Sequence, residues 1–162
     1  MSAIVSSCGL YRYRLEREIS LFGPTVAMIM VNPSTADAFA DDPTVRRIIG
    51  FGKRLGWSRV IVGNVFAYRA ANSGDLSLVD DPVGPENAIH LSAIMHEAEI
   101  IVVAWGTLAK LPNALRKEWR IFLALAESEG LELLCFGTAM DGHPRHPLML
   151  SYDEPLIQWK QP

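Results

Sequence analysis

The sequence predicts an α/β fold, a three-layer αβα sandwich around a mainly parallel four-stranded sheet with one further N-terminal edge strand. Four short apolar runs lack polar alternation, as expected of strands that are buried on both faces of a parallel sheet. Segments with helical spacing of apolar residues separate these runs, and short loops join them. With 162 residues, of which 49% are hydrophobic, the chain has the size and composition of a single domain spanning residues 1–162.

The strands are assigned from apolar runs that end at turn residues. Residues 10–19 alternate loosely between apolar and charged side chains, which predicts an edge strand with one face in water. Each buried strand ends in small or polar residues, and the carboxyl ends of parallel strands lie at the edge of the sheet where α/β proteins commonly bind ligands. The buried strands are predicted over residues 25–31, 59–65, 100–106 and 131–136.

Three helices and two long loops fill the rest of the chain. Asp42 and Pro43 fit the N-cap and the first position of the first helix, and Gly56 fits its C-terminal stop. The remaining assignments are a second helix that starts within residues 84–87, a third over residues 113–129, and loops over residues 70–84 and 137–147.

Composition and charge argue against several classes of protein. A net charge of -3 and a pI near 5.8 are not those of a strongly basic nucleic-acid-binding protein. Cys8 and Cys135 are the two cysteines, so the chain has neither a disulfide framework nor a four-cysteine metal site. No signal peptide or membrane-spanning apolar segment is recognisable, which favours a cytoplasmic protein without membrane contact. The sequence implies no cofactor and does not indicate an oligomeric state.

The turn after the first buried strand concentrates polar side chains. Asn32 presents an amide, Ser34 and Thr35 present hydroxyls, and Asp37 presents a carboxylate. An amide carries a hydrogen-bond donor and an acceptor side by side, which matches the edge of a nucleobase. Asn32 is therefore a candidate for contacting a ligand, with Ser34 and Thr35 as further substrate contacts, and the Asp37 carboxylate could act as a base or orient a water. The alternative is that these side chains stabilise the turn and cap the next helix.

The other buried strands also end in residues suited to ligand binding. Asn64 follows the second strand, where its amide could read a planar base or, alternatively, hold loop backbone. Aromatic residues beyond it could stack on such a base. Because all four strand ends lie at one edge of the sheet, we predict a common site. Its further candidates are Phe66, Tyr68, Arg69, Trp105, Gly106 and Arg145 for substrate binding, and one of His143 and His146 for stabilising charge.

Paired acidic residues and two histidines raise the alternative of a metal site. The Asp-Asp pairs at residues 41–42 and 80–81 both precede a proline, and capping or turn formation explains them more simply than magnesium binding. His143 and His146 are separated by a proline and lack an evident third ligand for zinc. We therefore predict no metal.

Six separated motifs, which occur in order, resemble those of a bacterial and phage family of domains of unknown function. The resemblance covers about residues 10–150 and implies no activity. The motifs are Val-Asn-Pro-Ser-Thr-Ala-Asp (31–37), Asp-Asp-Pro-Thr-Val-Arg-Arg (41–47), Gly-Asn-Val-Phe-Ala-Tyr-Arg (63–69), Asp-Pro-Val-Gly-Pro-Glu-Asn (81–87), Ala-Trp-Gly (104–106) and Pro-Arg-His-Pro-Leu (144–148).

The strand ends are also remotely similar to those of the uracil-DNA glycosylase superfamily, whose members are αβα sandwiches around a four-stranded parallel sheet. In mismatch-specific members the first motif reads Gly-(Ile/Leu)-Asn-Pro-Gly, and residues 30–34 (Met-Val-Asn-Pro-Ser) are similar to it. The resemblance implies that Asn32 orients the water, that Asn64 reads the base, and that His146 faces the base carbonyl. The Trp-Gly pair that closes the third strand in that superfamily matches residues 105–106.

The chain departs from that superfamily pattern at two positions. Ser34 stands where the first motif ends in glycine, and Leu148 stands where the superfamily has the serine of a His-Pro-Ser segment. Without this serine, the resemblance does not imply that the chain grips the backbone of a nucleic-acid duplex.

The residues and the resemblance together give a leading hypothesis, a nucleobase- or nucleotide-recognising enzyme that hydrolyses an N-glycosidic bond. Asn32, with Asp37, would position the water, Asn64 would read the base, and His146 would stabilise charge on the leaving base. The alternative is a non-catalytic module on the same fold that binds a nucleotide or modified base. A third hypothesis is a metal-dependent phosphohydrolase that uses Asp37 and the pair at residues 41–42. The expected partner is a nucleobase, a nucleotide or a nucleic acid.

Overall fold

A seven-stranded mixed sheet forms the centre of the molecule in the computed structural model, which describes residues 1–162. The strands lie in the order β1-β2-β4-β3-β5-β6-β7. They are β1 (Ser2–Val5), β2 (Arg12–Glu18), β3 (Thr25–Met30), β4 (Arg59–Asn64), β5 (Ile100–Val103), β6 (Leu133–Cys135) and β7 (Ile157–Gln158).

The four apolar runs of the sequence are the central strands of this sheet. β3 pairs in parallel with β4 on one side and with β5 on the other, and β5 pairs in parallel with β6. Each parallel pairing requires a crossover connection, which the helices supply. The carboxyl ends of these four strands therefore lie at one edge of the sheet.

Antiparallel strands extend the sheet on both sides. β2 pairs with β4, β1 pairs with β2, and β7 pairs with β6. The predicted edge strand, β2, is therefore an interior strand, and the expectation that one of its faces is in water is wrong. Because β1 covers its outer side and distant carboxylates and carbonyls bind its arginines, residues 12–15 of β2 are all buried.

The first helix has the predicted boundaries because its capping signals are local. Helix α1 covers Pro43–Leu55, and the Asp42 carboxylate accepts a hydrogen bond from the Val45 amide at its N-terminus. Gly56 ends the helix with a φ of 73°, a left-handed conformation that favours glycine. No helix of the structure has the length and hydropathy of a bilayer span.

The second helix starts within the predicted residues 84–87, whereas the third helix is shorter than the sequence indicates. Helix α2 covers Asn87–Glu97 and helix α3 covers Trp119–Ser128, whereas the third helix was expected to start near residue 113. Short 3₁₀ turns precede α3, and the Arg116 guanidinium donates hydrogen bonds to the carbonyls of Ala109 and Leu111. These bonds hold the segment before α3 in a conformation that is not continuous with the helix.

The helices cover both faces of the sheet, as expected of an αβα sandwich. Val26 and Met28 of β3 point into a core shared with α1, whereas Ala27 and Ile29 point into a second core shared with α2 and α3. This alternation is the strand period of two acting on a strand that is buried on both sides. The second core also contains the indole rings of Trp105, Trp119 and Trp159.

Candidate functional site

The carboxyl ends of the parallel strands line a cavity of about 730 Å³. This volume is within the range of about 300–1,000 Å³ that small-molecule sites occupy. The N-terminus of α1 and the loops over residues 70–73 and 105–111 complete its wall. Eight of the twelve candidate residues line the cavity, namely Asn32, Ser34, Thr35, Asn64, Trp105, Gly106, Arg145 and His146.

Backbone hydrogen bonds bring these strand ends and loops together. The Gly106 amide donates to the Pro144 carbonyl at 2.9 Å, which places the loop that carries His146 beside the end of β5. Gly106 has a φ of 85°, and a Cβ at this position would lie 3.3 Å from the Cβ of His146. Glycine is therefore needed here for both the backbone conformation and the close approach.

The Asn32 side chain holds loop backbone with its nitrogen and leaves its oxygen available. Its Nδ2 donates to the Ala70 carbonyl at 2.7 Å and to the Pro33 carbonyl at 3.0 Å. Two carbonyl acceptors fix the orientation of the amide, so Oδ1 is the atom left to accept a hydrogen bond from a ligand or a water. The alternative that the Asn32 amide holds loop backbone is therefore true of its nitrogen and not of its oxygen.

Asn64 has the opposite arrangement, with a free donor. The residue is 2% exposed, its Oδ1 accepts a hydrogen bond from Nη2 of Arg12 at 3.4 Å, and its Nδ2 has no partner. A guanidinium only donates hydrogen bonds, so Arg12 fixes the orientation of the Asn64 amide. A buried donor without a partner is costly, and Asn64 is one of the residues that line the cavity.

Arg12 lines the cavity beside Asn64 and was not among the candidates. Its Nη1 donates to the Ala36 carbonyl at 2.7 Å, and its Nε is buried without a partner. Burial lowers the pKa of the Arg12 guanidinium to about 10, although the nearby Asp42 carboxylate opposes this shift. Arg12 therefore remains charged at neutral pH.

His146 is a neutral hydrogen-bond donor at the cavity wall. Its Nδ1 accepts a hydrogen bond from the Leu148 amide at 3.3 Å, so the proton of the neutral imidazole lies on Nε2. Burial lowers the pKa of His146, the positive charge of Lys110 lowers it further, and Asp42 opposes both. The side chain can thus donate one hydrogen bond from Nε2 without carrying a charge.

Trp105 and His143 form the buried support of this wall. Trp105 is 4% exposed, and its indole nitrogen donates to Nδ1 of His143 at 3.3 Å. His143 is packed edge-on against Trp119, and it does not line the cavity. The structure contains no group of three or more histidine, cysteine, aspartate or glutamate side chains that could hold a metal ion.

Four candidate residues do not line the cavity. The Asp37 carboxylate accepts hydrogen bonds from the amides of Phe39 and Ala40 at 2.8 and 2.9 Å, and these bonds lower its pKa. Its carboxylate stabilises a turn, which was the alternative reading of this segment. The other three are Phe66, which is fully buried in the core, Tyr68, which packs edge-on against Tyr11, and Arg69, which lines a neighbouring shallow depression.

Sequence reasoning missed several residues of the cavity wall. Arg12 was assigned to an edge strand, and Lys110 was assigned to no site at all. The sequence contained one signal for Arg12. Three arginines, at positions 12, 14 and 17, occur in one short strand, which is more than solvation of one strand face requires. Asp42 also lines the cavity, although its predicted role as N-cap of α1 is confirmed.

The buried histidines make the stability of the protein pH-dependent. Burial lowers the pKa of His143 from its ordinary value of 6.5, with Asp141 opposing, and the pKa of His146 is lowered as well. The unfolded chain then binds protons at a higher pH than the folded chain does, so the free energy of unfolding decreases as the pH falls below about 6.5. We expect a lower urea midpoint at pH 5.5 than at pH 7.5, values that lie on either side of about 6.5.

A pair of variants tests this assignment. In His143→Asn the amide oxygen keeps an acceptor for Trp105 but does not titrate, so the loss of stability at low pH should be smaller than in the wild type. His96→Asn changes a histidine whose side chain is 68% exposed and should leave the loss unchanged. Equal pH dependence in His143→Asn and the wild type would contradict the assignment.

One comparison with known proteins identifies a family. No curated protein and no solved structure matches the chain. A family model with the description "Protein of unknown function (DUF1643)" matches residues 12–148, the segment that includes the strand ends and the loop of His146. The chain therefore belongs to this family of proteins of unknown function.

Proposed function

We propose that this protein recognises a nucleobase or nucleotide in the strand-end cavity and hydrolyses its N-glycosidic bond. The observation that carries the proposal is the meeting of Asn32, Asn64 and His146 around one cavity of suitable volume. The resemblance of the strand-end motifs to the uracil-DNA glycosylase superfamily supports the same reaction.

Asn64 recognises the base in this proposal. Its unpaired Nδ2 donates a hydrogen bond to a ring carbonyl or ring nitrogen of the ligand. Because Arg12 fixes the amide, the donor is in place before the ligand arrives, and binding orders no side chain. A base that presents a hydrogen-bond donor at this position would be rejected, because two donors would face each other.

His146 and Asn32 carry the chemical step. The bond between C1′ and the base nitrogen breaks, and its electron pair remains on the base, where Nε2–H of His146 stabilises the developing negative charge. Asn32 accepts a hydrogen bond from a water with Oδ1 and so directs the oxygen lone pair of that water towards C1′. The water oxygen bonds to C1′, and the proton that it loses is taken up by the base or by solvent.

A non-catalytic binding module is the second candidate, and a specific observation favours it. The Asn32 amide does not take up a proton. The Asp37 carboxylate, which was expected to assist Asn32, is engaged in a turn away from the cavity. Asp42 is the acidic residue that lines the cavity, and its carboxylate caps α1. The structure adds no support for the phosphohydrolase hypothesis, because the Asp41 carboxylate, one of its proposed metal ligands, forms an ion pair with Arg17.

Release of free base tests the proposal and separates the two candidates. Purified protein is incubated with nucleosides, nucleotides, and single- and double-stranded oligonucleotides that contain each common or deaminated base, and free base is measured by chromatography. We expect release from at least one substrate. His146→Gln should lower the turnover rate by about 100- to 1,000-fold, the cost of removing one donor to a developing anion.

The matched control for His146→Gln is His96→Gln, which replaces an exposed histidine and should retain full turnover. Saturable binding of a nucleoside or nucleotide without any release of base would overturn the catalytic proposal in favour of the binding module. An absence of both binding and release across the panel would refute both candidates.

A further inference from the structure

Three buried arginines on β2 differ in how their charges are compensated. Arg14 forms ion pairs with Glu16 and Glu97, and Arg17 forms an ion pair with Asp41 at 2.6 Å. Arg12 is 3% exposed and forms no ion pair. The same strand therefore contains two arginines with built-in carboxylate partners and one without.

The hydrogen bonds of Arg12 go to neutral groups and leave one of its three nitrogens without a partner. Its two terminal nitrogens donate to the Ala36 carbonyl at 2.7 Å and to Oδ1 of Asn64 at 3.4 Å. The Nε–H group is buried and has no acceptor. Buried charges in proteins are normally paired, so an unpaired guanidinium at a cavity wall points to a partner that arrives with the ligand.

The other charged groups around the cavity leave it positive. Lys110 is exposed at the wall, and Arg145 is already paired with Glu154 at 3.2 Å. The N-terminus of the 13-residue helix α1 also borders the cavity and contributes the positive end of its dipole. Asp42 is the opposing charge, and its Oδ1 accepts a hydrogen bond from the Val45 amide. A positive cavity in a chain of net charge -3 is a local feature and does not reflect the composition of the whole protein.

We propose that Arg12 anchors an oxyanion subsite of the cavity, so that the ligand carries a phosphate or a carboxylate group. The inference goes beyond glycosidic cleavage, because it holds whether the ligand is cleaved or only bound. It narrows the ligand class from nucleobases and neutral nucleosides to anionic compounds, such as a nucleotide or a base that bears a carboxylate. Arg12 is then a specificity-determining residue that the paired arginines Arg14 and Arg17 cannot replace.

Titration with anions that contain no base tests this subsite separately from the proposed reaction. Full-length protein is titrated with inorganic phosphate and, in a second arm, with acetate, and the Nε–H resonance of Arg12 is followed by NMR. The resonance is assigned by its absence in Arg12→Gln. We expect a saturable shift with at least one anion and an affinity that falls as sodium chloride is raised. The anion that binds with the higher affinity, phosphate or acetate, identifies phosphate or carboxylate as the anionic group of the natural ligand.

Variant proteins provide the controls. Calorimetry should show at least 10-fold weaker anion binding in Arg12→Gln, whereas Arg54→Gln, which removes an exposed positive charge, should bind as the wild type does. Arg12→Lys keeps the charge and should retain part of the affinity. The inference is overturned if neither anion shifts the Arg12 resonance saturably, or if Arg12→Gln binds the anion as the wild type does.

Comparison of a nucleoside with its 5′-monophosphate then links the subsite to the larger ligand. We expect at least 10-fold tighter binding of the monophosphate if the natural group is phosphate. Anion binding at Arg12 without base release from any substrate would leave this inference standing and refute the proposed reaction. Base release from neutral nucleosides without anion binding at Arg12 would support the proposed reaction and refute the oxyanion subsite.

Discussion

Asn64→Asp is expected to abolish ligand binding while the protein remains folded. The substitution replaces the unpaired Nδ2 donor with a carboxylate oxygen that repels the ligand acceptor, and this should weaken binding by at least about 100-fold. The new carboxylate would lie beside Arg12, which has no other ion-pair partner, so the melting temperature should stay the same or rise. Calorimetric titration and thermal unfolding measure the two effects.

Asn87→Asp is the matched control, because it makes the same change at a second buried asparagine. Asn87 is 1% exposed, and its Nδ2 donates to the carbonyls of Asn64 and Val65 at 2.9 and 3.1 Å. A carboxylate here would face two carbonyl oxygens and should cost at least about 3 kcal/mol of unfolding free energy. If Asn64→Asp lost stability as Asn87→Asp does and still bound ligand, the assignment of Asn64 to the site would be wrong.

Arg17→Met is expected to cause the largest loss of stability among the charged residues, about 3 kcal/mol, the lower end of what breaking a buried ion pair costs. The Arg17 side chain is 1% exposed, and it donates to the Asp41 carboxylate and to the carbonyls of Glu16 and Asp37. The lower end applies because the Asp41 side chain is 22% exposed and water can solvate it. Urea unfolding measures the change.

Arg54→Met removes a comparable ion pair at the surface. The side chains of Arg54 and Asp153 are 63% and 74% exposed, so this variant should lose less than about 1 kcal/mol. Arg17 also holds residues 37–41, which connect the turn of Asn32 to α1, so ligand binding should weaken in Arg17→Met and not in Arg54→Met. Equal losses of stability in the two variants would contradict the role assigned to Arg17.

Features that depend on short-range chemistry were predictable from the sequence. The boundaries of α1 follow from Asp42, Pro43 and Gly56, each of which acts within one helical turn. The central strands follow from apolar runs that are buried on both faces. The placement of Asn32, Asn64 and His146 around one cavity follows from topology, because parallel strands end at the same edge.

Features that depend on distant partners were not predictable. β1 and β7 are short and mostly exposed, so their sequences carry little apolar signal, and their pairing to β2 and β6 is a tertiary event. The charges on β2 suggested contact with water, but the Arg12 and Arg14 side chains bind groups 24 to 83 residues away. The turn after β4 directs Phe66 into the core, a direction that strand periodicity does not specify.

A crystal structure of the wild-type protein in complex with its tightest-binding nucleoside or nucleotide tests the central claim most directly. We predict that the base lies in the strand-end cavity, with a ring acceptor about 2.7–3.2 Å from Nδ2 of Asn64, the ordinary range of an N–H hydrogen bond. Nε2 of His146 is predicted to face the same ring. A fully occupied ligand bound elsewhere, or bound in the cavity without contact to Asn64, would contradict the claim.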